Sequence, residues 1–189
     1  MDERLDNGKT IKTVIKEGED RVFGWCHCNN VASSLAKFES IFDPPNHAQQ
    51  VMKEFNFYID ASVRGISWAY VVVVIFNKDG DFVDALTAKV PSTSAFHTEC
   101  MALCHAFSLS LKLNCKDANF FSDCFQLVNV VRNFTIPVWN LSNMFLHMFS
   151  CLKTSSSLNV SWLPQDANVV AHKLAAWATV HNISRASGF

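Results

Sequence analysis

The chain has 189 residues and a net charge of −1, and 49% of its residues are hydrophobic. This length predicts one domain of ordinary size with an extension, and the apolar content predicts a folded core and excludes wholesale disorder. The balanced charge excludes a global basic field, so any contact with nucleic acid would depend on a local patch.

The first 50 residues have a mixed composition, and we interpret residues 1–50 as an extension or linker and residues 51–189 as the folded domain. The N-terminus is charged and has no apolar segment of the signal-peptide type. The longest apolar run, residues 66–76, is shorter than the roughly 20 residues that cross a bilayer. We therefore expect an intracellular monomer, in the nucleus or the cytoplasm, that does not enter a membrane.

Seven cysteines occur in the sequence, and several lie within apolar helical or strand patterns. An odd number in such surroundings favours reduced, buried thiols over disulfides. Cys26 and Cys28 have no second pair at the spacing of zinc ligands, so this pair does not by itself predict a metal site.

The first half of the domain is predicted to be a meander of three strands. Residues 55–60 alternate between apolar and polar side chains, which is typical of a strand with one buried face. Residues 68–76 form a continuous apolar strand and residues 81–90 a third strand. The turn at residues 77–80 ends in glycine and predicts a hairpin between them.

Helices and strands then alternate. Ser94 is the predicted N-cap of a helix whose apolar residues recur at helical spacing, at Cys100, Leu103, Cys104, Phe107 and Leu111. Further elements are predicted as a strand at 118–122, helices at 125–131 and 140–152, a strand at 158–163 and a helix at 168–180. Right-handed crossovers would place the last two strands parallel to the first, which predicts an α/β fold with a five-stranded mixed sheet and helices on both faces.

Three acids and a histidine fall where these elements would converge. Asp60 lies on the first strand, Glu99 in the first turns of the first helix, Asp123 after the fourth strand and His172 early in the last helix. Open α/β sheets keep their sites at the carboxyl ends of parallel strands. Carboxylate oxygens gathered there would suit Mg²⁺, with Mn²⁺ as an alternative, and paired ions of this kind assist phosphodiester hydrolysis.

Each of these residues also has a structural interpretation. Asp60 could pair with a lysine at a strand end, Glu99 could be a first-turn acid favoured by the helix dipole, and Asp123 could be an N-cap. His172 could be an ordinary histidine at a helix surface. For the neighbouring polar residues we favour structural roles: Asn168 as the cap of the last helix, Asp166 as a solvated loop acid, and His97 and His105 as packing residues.

Four segments resemble the ribonuclease H family, and especially plant ribonuclease H-like domains related to the terminal domain of non-LTR retroelement polyproteins. They are residues 58–62 (YIDAS), 98–103 (TECMAL), 121–124 (FSDC) and 162–175 (WLPQDANVVAHKLA). The resemblance implies a three-layer ribonuclease H-like fold. It also implies that Asp60, Glu99 and Asp123 bind magnesium and that the enzyme cuts the RNA strand of an RNA–DNA hybrid.

The sequence departs from the family pattern at several positions. His172 stands where the family has a fourth metal-binding acid, and a neutral imidazole is a weak magnesium ligand. Trp162 stands where the family often has histidine, Ala69 and Val71 where it has glycines, and Ala61 where glycine is usual. For contact with the substrate, Arg64 and Lys112 are the basic residues that we assign to the relevant surfaces.

These departures leave three hypotheses open. In the first, the chain is a metal-dependent hybrid ribonuclease in which His172 assists or occupies the fourth position. In the second, it is a non-catalytic module that binds nucleic acid or protein on a ribonuclease H scaffold. A retroelement remnant with no maintained role is the third.

Overall fold

The computed structural model describes residues 51–64 and 67–180. Its elements are β1 (Phe55–Arg64), β2 (Trp68–Asn77), β3 (Phe82–Pro91), α1 (Ala95–Lys112), β4 (Ala118–Ser122), α2 (Phe125–Arg132), α3 (Ser142–Thr154), β5 (Leu158–Trp162) and α4 (Val169–Val180). Short 3₁₀ turns at Trp139–Leu141 and Gln165–Ala167 precede α3 and α4. No helix within the described ranges is long and apolar enough to span a bilayer.

Some predictions fall on other parts of the chain. Residues 1–50, with Cys26 and Cys28, lie outside the described residues, and so does the side chain of Arg64. The division into residues 1–50 and 51–189 therefore stays a prediction.

One five-stranded mixed sheet has the order β3-β2-β1-β4-β5. The pairs β1–β2 and β2–β3 are antiparallel, and β4 and β5 run parallel to β1. This arrangement confirms the predicted meander followed by two crossover strands. The hairpin between β2 and β3 closes at Gly80, where a positive φ of 87° suits a residue without a Cβ.

Helices cover both faces of the sheet, as predicted, because β1 and β4 carry apolar side chains on both sides. On one face the rings of Phe57 and Phe120 stack with their centroids 4.8 Å apart, and the ring centroid of Phe107 of α1 lies 4.4 Å from that of Phe120. On the other face Tyr58 and Phe121 pack in a cluster with α4. Strands buried on both faces lose the simple alternation of an amphipathic strand.

Two expectations about the helices have different outcomes. Ser94 is the N-cap of α1, and its Oγ accepts a hydrogen bond from the His97 amide at 3.1 Å. Leu111 was expected to continue the buried stripe of α1 with Phe107, and that expectation is wrong, since Leu111 is exposed. It lies in the last turn of α1, where the buried residues are Leu109 and Ser110 and Leu111 falls on the solvent side.

The first strand is longer than predicted, and this has a consequence for Asp60. Strand β1 continues to Arg64 because its hairpin pairing with β2 persists to the pair Arg64 and Trp68. Its pairing with β4 ends earlier, at Ile59 and Ser122. Asp60 is therefore the first residue of β1 beyond the end of β4, next to the turn that contains Asp123.

Candidate metal centre

Asp60 is a buried carboxylate on the central strand. Its Oδ1 accepts a hydrogen bond from the Ala61 amide at 2.7 Å, and its Oδ2 lies 3.2 Å from His172 Nδ1. The suggested pairing with a lysine is replaced by this contact with an imidazole. A charge buried beside apolar strands is stabilised by hydrogen bonds of this kind or by a bound cation.

Glu99 lies in α1 beyond its first turn, whereas the interpretation as an acid favoured by the helix dipole requires a residue in the first turn. The first turn of α1 contains no acidic residue, and the influence of the dipole decays within that turn. The start of the helix is held by buried Thr98, whose Oγ1 donates to the Ser94 carbonyl at 3.0 Å and contacts Ser92 Oγ at 2.7 Å. These bonds fix the part of α1 from which Glu99 projects.

Asp123 occupies the turn between β4 and α2. The N-cap position of α2 is Cys124, so the interpretation of Asp123 as an N-cap is wrong. Ser122 Oγ accepts a hydrogen bond from the Cys124 amide at 3.1 Å and holds the turn. The Asp123 carboxylate is thereby free of a capping role.

The three acids meet in one place. One carboxylate oxygen from each of Asp60, Glu99 and Asp123 lies within 4.8 Å of the others. They come from a strand, a helix and a turn that are far apart in sequence. Their proximity depends on the parallel register of β1 with β4 and on the packing of α1 against β1.

Burial and mutual repulsion disfavour the charged forms of these groups. Burial, and then the neighbouring Asp123, raise the pKa of Asp60 to about 6, although the Ala61 amide and His172 act in the opposite direction. Burial, followed by Asp60 and Asp123, raises the pKa of Glu99 to about 9. The pKa of Asp123 is also raised, mainly by burial. Full ionisation of the cluster therefore requires a compensating positive charge.

A hard divalent cation fits this donor set. All three groups offer oxygen, which Mg²⁺ prefers as a ligand. Glu99 Oε2 is buried and has no hydrogen-bond partner among the described residues, which is costly unless another group binds it. An ion between the carboxylates would satisfy this atom, and its charge would offset the burial and the repulsion that raise the pKa values of Asp60 and Glu99.

His172 lies at the edge of the cluster, on the first turns of α4. Its side chain is 54% exposed, and its contact with the cluster is the one to Asp60. In the part of the chain that the structure describes, the group with metal-binding geometry consists of the three acids and does not include His172. The imidazole therefore borders the acid cluster and is accessible to solvent.

The neighbouring polar residues differ in part from their predicted roles. Asn168 Nδ2 donates to the Ile59 carbonyl at 2.7 Å, and its Oδ1 has no partner among the described residues. Its side chain thus joins α4 to β1 beside Asp60. Asn168 occupies the position before α4, as predicted, and its carbonyl accepts from the His172 amide at 3.1 Å, but its side chain makes no capping hydrogen bond among the described residues. Asp166 is exposed, as expected, and His97 Nδ1 lies 3.0 Å from Thr93 Oγ1. Lys112 is 13 residues beyond Glu99 on α1, about 20 Å along the helix axis.

Two aromatic residues beside Asp123 were not identified from the sequence as parts of the site. Trp162, the last residue of β5, donates from Nε1 to the Asp123 carbonyl at 3.0 Å. Its ring meets the ring of Phe125, the first residue of α2, edge to face. The family comparison singled out Trp162 as unusual, but the partner ring is revealed only by the fold.

Comparison with known proteins agrees with this geometry. Residues 59–178 match the reverse transcriptase-like family. No curated protein sequence matches the chain significantly.

Solved structures show the same fold. The N-terminal RNase H domain of Rv2228c from Mycobacterium tuberculosis is 18% identical, with a TM-score of 0.60, over 67% of this chain and 94% of that one. LC11-RNase H1, isolated from compost by a metagenomic approach, is 21% identical, with a TM-score of 0.61, over 69% and 99% of the two chains. A foamy viral protease-reverse transcriptase in complex with dsDNA is 14% identical, with a TM-score of 0.57, over 69% and 97%.

Proposed function

This chain belongs to the reverse transcriptase-like family and has a ribonuclease H fold, and from that premise we propose that it is a metal-dependent endonuclease cutting the RNA strand of RNA–DNA hybrids. The observation that carries the proposal is the approach of three carboxylate oxygens, from Asp60, Glu99 and Asp123, to within 4.8 Å of one another. All three belong to one chain, so we propose that a monomer suffices.

The proposed site would hold Mg²⁺, or Mn²⁺ in its place, through Asp60, Glu99 and Asp123. The bound cation would supply Lewis-acid stabilisation of charge on the scissile phosphate and its attacking water. The protein's own contribution is to hold three acids together although burial, and after it their mutual repulsion, raises the pKa values of Asp60 and Glu99.

Neighbouring groups orient these ligands. The Ala61 amide and His172 Nδ1 fix the two oxygens of Asp60, and the Trp162 indole holds the backbone of Asp123. His172 is exposed and lies against Asp60, so we propose that it assists by holding this ligand in place. Hydrogen bonds of this kind around the ligands strongly affect metal affinity and rate.

The proposed substrate class is supported by the fold family and by one of its structures. A second structure of LC11-RNase H1 contains this protein in complex with an RNA/DNA hybrid. It is 19% identical to this chain, with a TM-score of 0.60. A protein of this fold would recognise such a duplex by its shape and its 2′-hydroxyl groups more than by base sequence. This suits a chain with a net charge of −1, which has no general attraction for nucleic acid.

Cleavage of an end-labelled RNA–DNA hybrid in the presence of Mg²⁺ tests the proposal. The wild-type protein should cut the RNA strand, EDTA should abolish cutting, and Asp60→Asn should lower the rate by a factor of about 10² or more. Asp79→Asn is the matched control, because Asp79 lies in the exposed β2–β3 turn. Equal cleavage by wild type and Asp60→Asn would contradict the mechanism.

One observation favours a second candidate, a nucleic-acid-binding or protein-interaction module that has lost turnover. His172 provides an imidazole where the family has an acid, and it contacts Asp60 directly. Such a module would bind hybrid or duplex with an affinity unaffected by Mg²⁺ and would cut nothing. Hybrid binding without product, at protein concentrations above the dissociation constant, would favour this candidate over the nuclease.

A further inference from the structure

Two exposed aromatic rings lie together beside the acid cluster. Phe125 is 65% exposed and Trp162 is 43% exposed. Their ring centroids are 6.0 Å apart, and the ring planes meet at 89°. An edge-to-face pair in which both members remain this exposed leaves ring faces uncovered, and exposed aromatic groups of this kind commonly mark binding sites.

Both rings are fixed to the turn that carries Asp123. Phe125 follows Asp123 by two residues and opens α2. Trp162 pairs with Ser122 across β4 and β5, and its indole N–H donates to the Asp123 carbonyl at 3.0 Å. The pair therefore borders the turn that carries one residue of the candidate metal centre, and a polymer lying across that centre would pass near it.

A nucleobase is the occupant that matches this position. Every base has an aromatic face, and stacking on protein rings contributes to the binding of single strands regardless of sequence. A base inside a duplex is already stacked on both faces and must leave the helix to reach a protein ring. The neighbouring acids are proposed to act on a phosphodiester, so a strand with its phosphate there would bring an adjacent base to the rings.

We propose that Phe125 and Trp162 form a stacking site for an unpaired nucleobase adjacent to the cleaved phosphate. This inference rests on the proposed function and refines it. The preferred substrate would have a single-stranded segment, or an unpaired nucleotide, beside the cleavage site. In the edge-to-face geometry, a base could stack on the face of one ring while the other ring borders it.

Binding measured without cleavage tests this site independently of catalysis. The probes are a fluorescein-labelled (dT)₁₂ strand and an abasic strand of the same length, titrated in EDTA and read by fluorescence anisotropy. The full chain is compared with Phe125→Leu and Trp162→Leu, which keep apolar volume but remove a ring. Trp139→Leu is the matched control, because Trp139 is 86% exposed but lies on the connection between α2 and α3.

The wild type and the control should bind (dT)₁₂ about fivefold or more tightly than the abasic strand, which is the effect of stacking one base. Phe125→Leu and Trp162→Leu should lose this preference while keeping their affinity for the abasic strand. Trp162→Phe, which restores a ring, should recover most of it.

Three results would overturn the proposal: a wild type that does not prefer bases, a preference that survives in both leucine variants, or an equal loss in Trp139→Leu. Asp60→Asn should retain the base preference although its cleavage rate should fall. A wild type that prefers bases but cuts no hybrid would contradict the nuclease and not this site.

Discussion

Replacement of Glu99 by glutamine should stabilise the protein when metal is absent. Burial, together with Asp60 and Asp123, raises the pKa of Glu99 from its ordinary value of 4.5 to about 9 in the folded state. The folded state then binds more protons than the unfolded state, so the free energy of unfolding falls as pH rises from about 4.5 to about 9. Glutamine has nearly the same shape and takes up no proton.

The size of the effect follows from these pKa values. At pH 7 folding must protonate a group that ionises at 4.5 in the unfolded chain. This costs about 1.4 kcal/mol for each of the roughly 2.5 pH units between these values, or about 3 kcal/mol. For a domain of this length, Glu99→Gln should raise the melting temperature at pH 7 by about 6 to 12 °C. At pH 5 the gain should fall below about 1 kcal/mol.

Calorimetric melting in EDTA at pH 5 and pH 7 measures this difference, with Asp79→Asn as the control for loss of an exposed acid. Addition of Mg²⁺ should then stabilise the wild type and leave Glu99→Gln unchanged, because only the wild type has the complete set of ligands. A glutamine variant that is less stable than wild type at pH 7, or a gain in stability that is the same at both pH values, would contradict a raised pKa of Glu99 in the folded protein.

Further substitutions test the site and the core. His172→Asp removes an imidazole and adds a carboxylate. A carboxylate about 4 Å from a divalent ion in water contributes about 2 kcal/mol to binding. Mg²⁺ should therefore bind His172→Asp about 30-fold more tightly than His172→Asn, as measured by calorimetric titration. Phe57→Ala removes a ring stacked on Phe120 and should lower the free energy of unfolding in urea by about 3 to 5 kcal/mol, and a loss below 1 kcal/mol would contradict the packing. Ser94→Ala should cost about 1 kcal/mol in the same assay through loss of the α1 cap, whereas an unchanged midpoint would show that the cap bond is dispensable.

The order of elements could be predicted because each is marked by local chemistry. Ser94 predicts the start of α1, and the turn with glycine after β2 predicts a hairpin. The parallel direction of β4 follows from the handedness of crossovers. The likeness of four short segments to one family then placed Asp60, Glu99 and Asp123 on the same edge of the sheet.

Other features depend on contacts between distant residues. The extension of β1 beyond Asp60 is set by its hairpin partner β2 and not by its own composition. Asn168 has a side chain suited to capping, but its Nδ2 donates to the Ile59 carbonyl, 109 positions away in sequence, and its Oδ1 accepts no capping hydrogen bond among the described residues. The meeting of Phe125 with Trp162 likewise depends on the parallel register of β4 and β5.

The exposure of Leu111 depends on which side of the last helical turn meets the core. Its spacing from Phe107 fits a buried helical stripe, but Leu109 and Ser110 are the buried residues of that turn, and Leu111 lies outside them. Helical periodicity identifies a face, and the packing partners decide which residues at its edge are buried.

The most direct test is an anomalous difference map from a crystal of the wild-type protein soaked in Mn²⁺. We expect a peak bounded by carboxylate oxygens of Asp60, Glu99 and Asp123, at roughly the 2.0 to 2.6 Å typical of hard cations, and no such peak in Asp60→Asn. A wild-type map at saturating Mn²⁺ with no density between these three side chains would contradict the proposed metal centre.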